Sequence, residues 1–183
     1  MKSIISIVSL SIALTGASAF AKGKAKPKQL SAIAKLCKVL AKTLDGETAT
    51  VLEKGGSSES LLKQKFLQDG GDKEDFEFEA NVTSIPETDG SGMGTASLEA
   101  AQMFVTTKLD GWADDDGTQL DEKVLAKKRT KAVALLQRLE EEGAEFGYDA
   151  NGGGACGINY SSLLIIDKKS KTVHEFLVTS GPC

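Results

Sequence analysis

Histidine and tryptophan each occur once in these 183 residues, and cysteine three times. That scarcity excludes a good deal of chemistry. One histidine, His174, and three scattered cysteines lack the closely spaced ligand pairs of a usual zinc site. His174 could serve as a general base, with Ser161, Ser162 or Cys156 as nucleophile, but no elbow motif surrounds any of these residues. The sequence therefore assigns no catalytic residue, no metal ligand and no cofactor. The glycine-rich run from Gly152 to Gly157 leads into no Gly-Lys-Ser/Thr. The segment after Gly157 reads as a strand, not as the helix that would hold a phosphate. Asp114-Asp115-Asp116-Gly117 has the look of a calcium loop, yet Trp112 and Lys123 stand where an EF-hand needs its first and twelfth ligands. No internal repeat is present. Past residue 21 no apolar run is long enough to span a bilayer.

The features the chain does have begin at its start. Met1 and Lys2 precede an apolar run from Ile4 to Leu14, and small residues around Ala17-Ser18-Ala19 and Ala19-Phe20-Ala21 fit a cleavage site. Residues 1–21 are thus expected to be a signal peptide. Residues 22–29, rich in lysine and without apolar pattern, read as a disordered basic leader. Residues 30–183 are the length of one ordinary domain. The expected location is secreted or periplasmic, with no membrane attachment after cleavage. The full chain carries 22 basic and 26 acidic residues. Loss of Lys2 with the signal leaves 21 against 26, a net charge of −5. An acidic domain of this kind is ill suited to nucleic-acid phosphates and better suited to a basic protein partner.

Export permits a disulfide, and three cysteines always leave one over. Leu30, Ile33, Ala34, Cys37, Leu40, Ala41 and Leu44 recur on one helical face, which makes Cys37 a small buried apolar residue. Cys156 in the glycine-rich stretch and Cys183 at the chain end are then the expected pair.

The periodicities predict a helix over 30–44, a short strand at 48–52 and a helix capped by Ser57 or Ser58 with Leu62 and Phe66 one turn apart. A strand over 76–82 alternates Phe76, Phe78, Ala80 and Val82 with polar residues, and 86–94 reads as a loop. A helix is expected around 98–109, with a strand over Met103 to Thr107 as the alternative, then the longest helix over 121–142, a short strand at Phe146 and Tyr148, and a C-terminal hairpin of 160–166 and 172–179. The expected fold is α+β: a small, mainly antiparallel sheet packed with helices, sandwich-like in the α/β/α sense, in a single domain.

Asp110, Gly111, Trp112, Ala113, Asp114 and Asp115 set the one tryptophan in an acidic loop, the composition of an interface anchor or a core plug. A helix leading through Asp45-Gly46-Glu47 into a strand ending Val51-Leu52-Glu53-Lys54-Gly55, this acidic loop ahead of a long helix containing Lys131-Ala132-Val133-Ala134-Leu135-Leu136, and two closing strands together resemble the nuclease A inhibitors. That resemblance implies an α/β/α protein that blocks a nuclease by inserting acidic and aromatic loop residues into its cleft. Glu47, Trp112 and the chain end would be contact residues, with Asp110, Asp114 and Asp115 beside them. Here the end is Gly181-Pro182-Cys183. The leading expectation is an exported, non-enzymatic protein-binding module, an inhibitor of a secreted nuclease or other hydrolase, with a basic surface on its partner. The alternative is a small secreted hydrolase or ligand-binding enzyme using His174.

Overall fold

The computed structural model describes residues 30–44, 46–53, 55–86, 92–110, 121–151 and 159–180. Helices α1 (Ala32–Ala41), α2 (Ser58–Gln68), α3 (Leu98–Asp110) and α4 (Glu122–Glu141) accompany six strands. The strands are β1 (Thr48–Val51), β2 (Phe78–Val82), β3 (Gly92–Ala96), β4 (Glu145–Asn151), β5 (Asn159–Asp167) and β6 (Thr172–Ser180). They form one sheet in the order β1-β6-β5-β4-β3-β2. Every neighbouring pair is antiparallel except β2 and β3, which run parallel. This is the expected α+β domain. Among the described residues no helix is long and apolar enough to cross a membrane.

The period of two in β5 and β6 divides the sheet into two faces. Leu163, Ile165 and Phe176 join α1, α3 and α4 in the larger core, through residues such as Leu40, Phe104 and Leu136. Leu164, Ile166 and Val173 point the other way and pack with Leu61 and Leu62 of α2. Each fully buried leucine removes enough apolar area to contribute about 1.5–3 kcal/mol. α1 exists because its apolar residues recur at helical spacing and Ser31 caps it, the hydroxyl accepting from the Ala34 amide at 3.0 Å. Ser57 caps α2 and Asp121 caps α4 in the same way.

Ser31 also ties α1 to the sheet. Its hydroxyl donates to Asp167 Oδ2 at 2.8 Å, at the start of the β5–β6 turn. Asp167 Oδ1 accepts from the Lys169 and Ser170 amides, both at 3.1 Å, which closes the turn. Burial works against the Asp167 charge, but the Ser170 amide and hydroxyl, Ser31 and the Lys169 amide together hold its carboxyl below the usual range.

Two expectations need correction. The regular alternation over 76–82 does not persist. The strand begins at Phe78, its register shifts between Glu79 and Val82, and Asn81 sits at φ 54. That bulge turns Ala80 out to solvent. Residues 92–94, expected to close a loop, instead open β3, which sits between β2 and β4. Gly94 is the residue that lets the chains approach there. A Cβ on it would lie 2.1 Å from the Glu79 carbonyl oxygen and 2.9 Å from the Tyr148 ring.

Candidate functional site

Three elements bring one polar side chain each into the larger core. Cys37 sits midway along α1, Glu47 in the turn leading into β1, and His174 on β6, where Ala49 and Ile165 are its strand neighbours. One donor atom from each side chain lies within 4.8 Å of the others. His174 Nδ1 and Glu47 Oε1 are 2.5 Å apart. Cys37 is fully buried and His174 is 3% exposed, while the Glu47 side chain keeps 12%. The second ring nitrogen of His174, Nε2, is buried and has no hydrogen-bond partner. Burial first, then the negative charges of Glu47 and Asp167, push the Cys37 thiol far up.

The helical periodicity marks Cys37 as a buried residue, and it is a buried free thiol. The other two positions differ from their expected settings. Glu47, a contact residue by resemblance, has its carboxylate turned inward onto His174. His174, the candidate base, has little exposed surface. Ser161 lies four positions along β5 from Ile165, the residue opposite His174, a separation of roughly 13 Å at about 3.3 Å per residue. Its hydroxyl donates to the Pro86 carbonyl at 3.0 Å. Ser162 points to the opposite face of the sheet. The fold therefore does not bring the serines to the histidine.

Asp110 ends α3, exposed, with Oδ1 2.5 Å from Arg129 Nε of α4. That ion pair joins the two helices at the place where 111–120 connects them. Trp112, Asp114 and Asp115 lie outside the described residues, as do Cys156 and Cys183.

The opposite face of the sheet holds a second polar assembly. Lys65 of α2 is only 2% exposed, and its Nζ lies 2.6 Å from Asp69 Oδ2 and 2.7 Å from Glu175 Oε2 of β6. Burial acts to lower its pKa, but the two carboxylates outweigh it and raise the ammonium above its ordinary value. Asp149 of β4 lies in the same field. Burial, reinforced by Glu175 and Asp69 and only partly offset by Lys65, pushes its carboxyl up to about 6. A cavity of about 580 Å³ opens beside this group, and Asp69, Asp72, Glu74, Asp75, Glu77 and Asp149 supply carboxylates to its wall. Phe66 and Phe76 line it too, with ring centroids 5.5 Å apart. Gly70 at φ +95 turns the chain out of α2 and into this wall.

The chain matches no family model, no curated protein and no solved structure.

Chemically, the cleft suits a cation. Its walls combine negative charge with the faces of phenyl rings, and Lys63 Nζ already lies 5.2 Å over the Phe76 ring. Sequence reasoning missed the cleft, although the density of acids from Asp69 to Glu77 was a visible signal. It missed the Cys37–Glu47–His174 cluster for a different reason. Glu47 lies 10 positions from Cys37 and 127 from His174, and the three meet only through the β1–β6 pairing and the packing of α1 on the sheet.

Proposed function

We propose that this chain is an exported, non-enzymatic protein-binding module for a basic partner, acting as an inhibitor of a secreted nuclease or other hydrolase. The observation that carries the reading is the acidic, phenyl-lined cleft formed by the end of α2, the 3-10 turn Lys73–Asp75 and β4. A lysine or arginine side chain would gain Coulombic attraction from Asp72 and Asp75 and ring contact from Phe76. The net negative charge of the mature chain would steer such a partner into place. The loop with Trp112, Asp114 and Asp115 offers a second acidic and aromatic contact, as the resemblance to nuclease A inhibitors implies. Glu47 is withdrawn from the contact surface in this reading, because its carboxylate is engaged by His174. The hydrolase alternative is set aside, since burial of His174 leaves no face for a substrate.

The test is association with a basic secreted nuclease, measured by calorimetry together with nuclease activity at several salt concentrations. Asp72→Lys with Asp75→Lys is expected to raise Kd at least tenfold, and Trp112→Ala to weaken binding independently. Rising salt should weaken the wild-type complex. No complex with the nuclease, or a complex indifferent to all of these changes, overturns the reading.

A further inference from the structure

We propose that Cys37, Glu47 and His174 form a binding site for one zinc-class divalent cation. The donor set is one sulfur, one imidazole nitrogen and one carboxylate oxygen, the ligand types that zinc takes in proteins. Hard cations such as calcium and magnesium prefer all-oxygen shells and are disfavoured by the thiol. The donors come from α1, the turn before β1, and β6, so three packed elements hold them. Their present spacing, within 4.8 Å, adjusts by about an ångström to meet zinc bond lengths of about 2.0–2.3 Å, His174 and Glu47 parting from 2.5 Å as the wider spacing closes.

His174 is 3% exposed, and its Nδ1 already faces Glu47 Oε1 at 2.5 Å with a proton between them. A metal ion takes the place of that proton and bonds both atoms, and the imidazole then carries its own proton on Nε2. The charge also closes. A thiolate and a carboxylate neutralise a divalent ion. On binding, the thiol proton passes to solvent and the proton between Nδ1 and Glu47 moves to Nε2, so that the sulfur, Nδ1 and the carboxylate each contribute a lone pair and no oxidation state changes. Asp167 stays outside the ligand set, because its oxygens already accept from Ser31, Lys169 and Ser170. Glu47 is the most exposed of the three and comes directly after Gly46, at φ +151, so its carboxyl is the side from which an ion arrives.

The experiment uses the mature chain carrying Cys156→Ser and Cys183→Ser, which leaves Cys37 as its single thiol, with cobalt as a spectroscopic stand-in for zinc. One cobalt per chain is expected, with a thiolate-to-metal charge-transfer band in the near ultraviolet and visible bands of tetrahedral intensity. Zinc should displace it and raise the melting temperature. Cys37→Ala in the same background should abolish the band, and Glu47→Gln should weaken cobalt binding at least tenfold. If Cys37→Ala does not fold, the Glu47→Gln titration decides alone. Absence of the band in the single-thiol protein, its persistence without Cys37, or cobalt affinity unchanged by Glu47→Gln each overturns the proposal.

Discussion

Lys65 illustrates how much a single residue can hide from the sequence. It stands in a polar stretch of α2 between Gln64 and Phe66, and nothing in the pattern distinguishes it from a solvated lysine. In the fold its ammonium is buried between Asp69 and Glu175. Removing one partner of a buried pair strands the others, so Lys65→Ala is expected to cost about 3–5 kcal/mol, read by urea denaturation. A loss within about 0.5 kcal/mol would show that water replaces the ammonium freely. Asp149 gives the opposite sign. Its folded carboxyl titrates at about 6, against about 3.8 for the unfolded chain. A raised folded pKa contributes stability that is complete below the unfolded value and lost as pH rises through the folded one. The protein should therefore lose stability between about pH 4 and pH 6 through this group. Asp149→Asn should match the parent near pH 4 and exceed it at pH 7, with a ceiling of about 3 kcal/mol at about 1.36 kcal/mol per unit. Paired melts at the two pH values check this, and a variant less stable than the parent at pH 7 contradicts it. Cys37 was legible by contrast, since its place on the apolar face of α1 needs only local periodicity.

At the scale of elements, legibility tracks how local the determinant is. α2 and α4 declare themselves by Ser57 and Asp121 at their N-caps and by leucines at helical spacing. β5 and β6 declare themselves by apolar runs on either side of Asp167-Lys168-Lys169-Ser170-Lys171. β3 does not, because Gly92, Met93, Gly94, Thr95 and Ala96 carry weak strand propensity and the strand exists by virtue of its neighbours on both sides. Its Gly94 is required by the close approach of Glu79 and Tyr148, a constraint set by sequence-distant chain. Cys156 and Cys183 lie outside the described residues, and the expectation for them rests on the sequence: these two linked, with Cys37 free. Thiol counting on the oxidised, unfolded protein should find one free cysteine, and peptide mapping should place it at residue 37. Any linkage through Cys37, or three free thiols, defeats the prediction. Cys183→Ser should lower the melting temperature, since closing a loop of this size is worth roughly 3 kcal/mol in the chain-entropy model.

Across the whole molecule the two faces of the sheet are unequal, and the inequality has a dynamic consequence. α1, α3 and α4 pack over β4, β5 and β6 through a continuous core that includes Phe104, Leu136, Phe146 and Phe176. The other face is covered by α2 alone among the described helices, through a smaller cluster built on Leu61, Leu62, Leu164 and Val173. The remainder of that face is polar: Lys65, Asp149 and Glu175 border the open cleft. Less buried apolar area means a lower free energy for local opening. Native-state hydrogen exchange should therefore show α2 amides from Leu61 to Gln68 exchanging through a subglobal opening, well below the free energy of global unfolding. The central amides of β5, from Leu163 to Ile166, should exchange only when the whole molecule unfolds. The opening of α2 would widen the acidic cleft while leaving the Cys37–Glu47–His174 cluster closed on the far side of the sheet. Exchange recorded at two pH values separates opening from intrinsic exchange chemistry. Equal opening free energies for α2 and β5 would mean that the two layers unfold as one, and that the cleft wall is as fixed as the core behind it.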